Sequence, residues 1–187
     1  MIYEGCELVA THLRDGEMGV NAIRNTVPLG VNDPLIEPVT VKHEFEIAYL
    51  AGGDIPQSAY EEGPLVLVRR ADDVGEFSAP GNPELLSDDE RLGFAILVLF
   101  ARRETRTLHL ENRCLSALLR VVRRSLGMLF EDVSHDARAL RGVQFVGTLA
   151  PPRVVPTIAQ FGKVDLLAGA VLLDVRVTDR WASGIVE

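Results

Sequence analysis

The stretch GFAILVLFA, residues 93–101, is apolar at both even and odd positions. A β-strand sends successive side chains to opposite faces, so a strand of this composition must be covered on both sides, which puts it in the middle of a sheet. The sequence after it changes period. Residues 107–129 predict a helix ~34 Å long at 1.5 Å per residue. At about 100° per residue, Leu108, Leu115, Leu118, Leu119, Val122, Leu126 and Leu129 gather on one side, while Arg106, Arg113, Arg120 and Arg124 fall within about 40° of one another on the opposite side. One side of this helix is core and the other is a cationic stripe.

Upstream, residues 3–26 predict an amphipathic helix broken near Gly16 or Gly19, with Leu8, Val9, His12 and Leu13 on one face, continued by Val20, Ile23 and Val27. Pro28, Pro34 and Pro38 exclude regular structure from the next segment, which is a loop. Residues 39–50 alternate Val41, His43, Phe45, Ile47 and Tyr49 against Lys42, Glu44 and Glu46, as a half-exposed strand does; residues 51–58 are a turn and 65–70 a short strand. Residues 71–92, acidic and rich in turn formers, predict an extended loop or insertion; Asp72, Asp73, Glu76, Asp88 and Asp89 are its candidate partner contacts.

Downstream, Gly127 and the acidic pair Glu131 and Asp132 end the long helix, and Ser134 is placed to cap a second, short one over residues 134–141. Residues 143–149 read as a strand and 150–163 as a loop. The final strand, residues 168–181, alternates Val171, Leu173, Val175 and Val177 with Leu172, Asp174, Arg176 and Thr178, so its second face turns polar. The expected fold is a single α/β (α+β) domain, a mixed, mainly antiparallel sheet flanked by the N-terminal helix and the long central helix.

The 187 residues, 47% hydrophobic and 25% charged, suffice for a core of ordinary size without metal or disulfide. Two cysteines, Cys6 and Cys114, fall in predicted helices and read as reduced apolar side chains of an intracellular protein. The N-terminal sequence lacks the basic-then-apolar pattern of a signal peptide. The longest uncharged apolar run is about half the ~20 residues a membrane span needs. Charge is uneven: residues 1–92 hold 6 Lys/Arg and 18 Asp/Glu, 6 − 18 = −12, and residues 93–187 hold 13 and 9, 13 − 9 = +4, giving −8 in all. That polarity suits contacts between copies or between stacked partners, with a solvated acidic half as the other reading, and the acidic total disfavours free nucleic-acid binding.

No catalytic constellation is legible. His12, His43, His109 and His135 are scattered without metal-ligand spacing, and Ser134, His135 and Asp136, adjacent on a helix, diverge and cannot act as a triad. Nucleophile-elbow, phosphate-loop and dinucleotide motifs do not occur. The acidic clusters read as solvated loops. The expectation is therefore no enzyme, no cofactor and no metal. The arginine stripe has two readings: a solvated face paired with Glu104 and Glu111, or a surface for an acidic partner.

The helix EGCELVATHLRDGEMGVNAIRN, the strand GFAILVLFARRE, the helix TLHLENRCLSALLRVVRRSL and the closing AGAVLLDVRVTDRW stand in an order that resembles the tail terminator (tail completion, neck) proteins of tailed bacteriophages. The resemblance rests on order and pattern and covers most of the chain, with 71–92 as excess length. It implies a homo-hexameric ring on the head-proximal end of the tail. Such a ring stops tail-tube polymerisation and joins the tube to the head connector, and DNA passes through it without sequence-specific binding. It implies a virion protein assembled in the host cytoplasm, with no catalytic residues. Another neck component, a stopper or a mainly helical adaptor, and a small ligand-binding α/β domain are the alternatives.

Overall fold

In the segment that includes 93–101, Phe94, Ile96 and Val98 belong to the core that the helices share, while Leu97, Leu99 and Ala101 belong to a second, smaller apolar cluster. This strand, β4, is Ser87–Ala101 in the computed structural model, which describes residues 2–25, 37–48, 55–61, 63–71, 79–82, 87–101, 108–131, 138–155 and 166–180. It pairs antiparallel along its whole length with the last strand, β8 (Leu166–Arg180), from Ser87 opposite Arg180 to Ala101 opposite Leu166. At ~3.4 Å per residue this ladder is ~50 Å long.

Shorter strands flank the ladder end to end. On the free side of β4 lie β2 (Leu65–Arg70) and β3 (Ala79–Asn82). On the free side of β8 lie β6 (Val143–Thr148) and β7 (Arg153–Val155). β1 (Thr40–His43), parallel to β2, and β5 (Ala139–Leu140) are the outermost strands of the order β1-β2-β4-β8-β6-β5. The fold is α+β with a mixed, mainly antiparallel sheet, as expected.

Helices α1 (Ile2–Arg14) and α3 (Leu108–Glu131), with the short α2 (Val20–Ile23), cover one face of this sheet. Cys6, Val9 and Leu13 of α1 and Leu118, Val122, Leu126 and Leu129 of α3 close on Phe94, Ile96 and Val98 of β4 and Val171, Leu173 and Val175 of β8. Two polar contacts fix α3 to α1 and to the turn that follows it. The His12 ring nitrogen Nε2 lies 2.7 Å from the Ser125 carbonyl, and the Ser125 hydroxyl donates to Met18 O at 2.8 Å. Close approach is set by Gly169 of β8, where a Cβ would come within 2.7 Å of Leu119 Cδ1, and by Gly5 of α1, where it would come within 2.8 Å of Phe94 Cζ.

On the other face a smaller cluster, Ile47, Tyr60, Leu65, Leu67, Leu99 and Ala168, covers only one end. The sheet also curls. The Tyr3 ring, at the start of α1, meets the His43 ring of β1 at 5.5 Å, and the Arg141 guanidinium, just past β5, lies 5.7 Å over it. One helix end thus touches both outermost strands.

Several boundaries differ from the sequence reading. The predicted strand over 39–50 stops at His43, because Glu44–Glu46 turn as a 3-10 helix that leaves Phe45 exposed. The predicted loop over 71–92 holds β3 and the first six residues of β4, paired to β8 as fully as the apolar residues are; 72–78 lie outside the described residues. Gly127 sits inside α3, which continues to Glu131. The predicted helix over 134–141 ends instead in a hairpin: Arg141 and Gly142, at φ 50° and 89°, make the left-handed turn between β5 and β6. Ser134 lies outside the described residues. Within the predicted loop 150–163, Arg153–Val155 adds to the sheet as β7.

Candidate interaction surfaces

The outward side of α3 carries the predicted stripe. Arg120 and Arg124 are exposed and Arg113 is half-buried; Arg106 lies outside the described residues. Glu131, seven residues after Arg124 and so on the same side, accepts from Arg124 Nη1 at 3.1 Å. Glu111, expected to neutralise the stripe, is buried instead, at 1% exposure, because its position turns it toward the core. Glu104 lies outside the described residues. Exposed pairs such as Arg124 with Glu131 contribute about 0–1 kcal/mol, so the stripe is held by the packing of the opposite side of the helix.

Of the predicted acidic contacts, Asp72, Asp73 and Glu76 lie outside the described residues. Asp88 and Asp89 are strand residues of β4, their backbones opposite Asp179 and Thr178. They belong to the sheet and not to a loop.

A second cationic surface was not read from the sequence. On the helix-free side, beyond the small apolar cluster, the pleat alternation puts Arg69 of β2, Arg91 of β4, Arg153 of β7 and Arg176 of β8 on one face, Arg69 and Arg153 at the two ends of the row that holds Ala95 and Leu172. Arg91 and Arg176 are directly opposed across the central ladder. Asp174, one pleat away, accepts from Arg91 Nη2 at 3.0 Å, and Arg69 lies 3.9 Å from Glu44. Arg91, Arg153 and Arg176 are exposed and Arg69 is half-exposed. The alternation along each strand was available in the sequence, but the register that opposes Arg91 to Arg176 and puts Arg69 and Arg153 on the same face was not.

One outer edge of the sheet is closed by side chains. Asn21 brackets Val39, its amide donating to the carbonyl at 2.9 Å and its carbonyl accepting from the N–H at 2.9 Å. Arg14 donates twice to Val41 O, at 3.0 and 2.8 Å, and Glu46 accepts the His43 N–H at 2.8 Å. Glu46 also pairs with Arg14. Burial opposes ionisation of Glu46, but the His43 amide and the Arg14 guanidinium outweigh it and hold the carboxyl below its ordinary range. Blocking an edge in this way is how sheets avoid adding strands.

Burial, reinforced by the Glu44 carboxylate 3.7 Å away, pushes the Cys6 thiol up to about 12. Cys114 is half-buried, and neither cysteine forms a disulfide. Among the described residues no group of three or more His, Cys, Asp or Glu is placed to hold a metal, and no helix is long and apolar enough to cross a membrane. No protein-family model matches the chain, and no characterised protein matches it in sequence.

Proposed function

We propose that this chain is a non-enzymatic structural protein of a tailed bacteriophage, of the tail terminator kind. It forms a homo-hexameric ring at the head-proximal end of the tail, ends tube polymerisation and joins the tube to the head connector. Its partners are further copies of itself, the tail-tube protein and the connector protein, with DNA passing through unread and no cofactor involved. It is assembled in the host cytoplasm and carried in the virion.

The observation that carries this reading is the presence of two separate cationic faces, the α3 stripe and the helix-free sheet, on a chain of net charge −8. A closed ring joins unlike patches of successive copies, and stacking between tube and connector demands further surfaces. The order of N-terminal helix, β4, long helix and β8 agrees with the order on which the resemblance rests. The eight-stranded sheet weighs against a mainly helical adaptor.

Light scattering and negative-stain microscopy, with and without tail tubes, test the proposal. Six-membered rings, alone or on tube ends, are expected. A stable monomer that also fails to bind tube ends overturns it. The double variant Arg113→Glu/Arg120→Glu is expected to fold, by circular dichroism, and to lose assembly on tubes; normal assembly returns the stripe to a solvated surface.

A further inference from the structure

We propose that Arg14, Asn21 and Glu46 form an autoinhibitory guard on β1: they occupy the backbone groups through which this edge would otherwise add an extended segment of a second copy of this chain. Neighbouring residues of a strand turn their N–H and C=O groups to opposite sides in the plane of the sheet. β1 runs parallel to β2 with Thr40 opposite Leu65 and Lys42 opposite Leu67, and the Thr40 N–H donates to Pro64 O at 3.0 Å. Thr40 and Lys42 therefore direct their backbone groups to β2, and Val39, Val41 and His43 turn theirs away from it.

Each of these outward residues is met by a different side chain. Asn21 of α2 donates to the Val39 carbonyl and accepts from the Val39 N–H, at 2.9 Å each, the pair of bonds that a neighbouring antiparallel strand would make with the same residue. Its side-chain amide stands where a peptide group would. Arg14, the last residue of α1, holds Val41 O from Nε at 3.0 Å and from Nη2 at 2.8 Å, and Glu46 accepts the His43 N–H at 2.8 Å and pairs with Arg14. Both Arg14 and Asn21 are exposed, so their bonds to β1, and not apolar burial, are what the fold gains from them. The guard is fixed from behind, since His12 of α1 and Met18 of the turn after it are bonded to Ser125 of α3. Pairing along an edge reads backbone and not side chains, and the segment that every molecule in solution offers to this edge is the same edge of another copy.

This inference does not rest on the ring reading, because it concerns association beyond that of the wild type, and either can fail alone. The test compares the full-length wild type with Asn21→Ala and with Arg14→Ala/Asn21→Ala. Both sites are exposed and Ala is a good helix former, so the fold is expected to persist, as circular dichroism checks; the single variant serves where the double one does not fold. Hydrogen exchange over residues 39–43, read by mass spectrometry, and sedimentation velocity are followed over the same range of concentration. In the dilute variants the outward amides of this segment are expected to exchange about fivefold faster than in the wild type, the factor that loss of one net hydrogen bond gives. At high concentration they are expected to be protected again, as copies pair through β1, while species larger than those of the wild type appear. Unchanged exchange in the folded variants overturns the guard. Fast exchange at every concentration without added association also overturns it, since the bonds are then a local cap. Added association that leaves residues 39–43 unprotected places the contact elsewhere and overturns it as well.

Discussion

Cys6 and Cys114 carry the same functional group in two environments. The nucleophile is the thiolate, and burial beside Glu44 suppresses it at Cys6. A thiol reagent at pH 8 is therefore expected to modify Cys114 in the folded protein and Cys6 only after unfolding, as peptide mass mapping would record. Glu46 makes the opposite case, since its folded form favours the ionised carboxyl. A carboxylate with a lowered folded pKa adds stability above its unfolded value, about 4.3, and loses it as the pH falls through the folded value. The melting temperature is expected to drop on acidification from pH 5 toward 3, and Glu46→Gln to flatten that drop while lowering stability at pH 7. A parallel acid limb in the variant would count against the role of Glu46.

At the scale of elements, the packing of α3 on β8 depends on the absence of a side chain at Gly169. Gly169→Val places methyl groups where Leu119 stands, and overpacking of this kind costs about 1–3 kcal/mol. For a chain of this length that is a drop of several degrees in melting temperature by scanning calorimetry. Adding Leu119→Ala is expected to recover part of the loss, because the cavity of one change accepts the excess of the other. Elements such as α3, β2, β4 and β8 were legible in the sequence because their apolar residues repeat at the helical or strand period over many positions. The misread ones are short or governed by pairing. The 3-10 turn at Glu44–Glu46 keeps an apolar/polar alternation that mimics a strand. The hairpin at Arg141 and Gly142 uses an arginine at positive φ, where Asn or Asp is the usual signal. The acidic start of β4 looked like a loop because its backbone pairing with β8, not its composition, makes it a strand. The α3 stripe was legible for the same reason as its core side, and the sheet-face arginines were not, since their arrangement is a property of register.

For the whole molecule, the two faces of the sheet divide the work. The helix-bearing face holds the larger core, and Val98, fully buried between β2 and β8, lies within it. Val98→Asp buries a carboxylate with no cation designed for it, and loss of soluble, folded protein on expression is the expected result. The other face is left half-covered and charged, which is where contacts between molecules are proposed.

The placement of β8 has a consequence for how the chain reaches this structure. The central strand β4 ends at Ala101, but its partner along the whole ladder begins only at Leu166 and ends at Arg180. Until β8 has left the ribosome, one long side of β4 lacks its backbone partner and the helices have only part of the surface they cover. Pairing of such distant segments is slow relative to local structure, because loop closure comes before the contacts that reward it. The nascent chain therefore carries its long apolar strand unpaired on one side while the residues between β4 and β8 are made, and holding that strand apart from other chains becomes a task for the cell's chaperones.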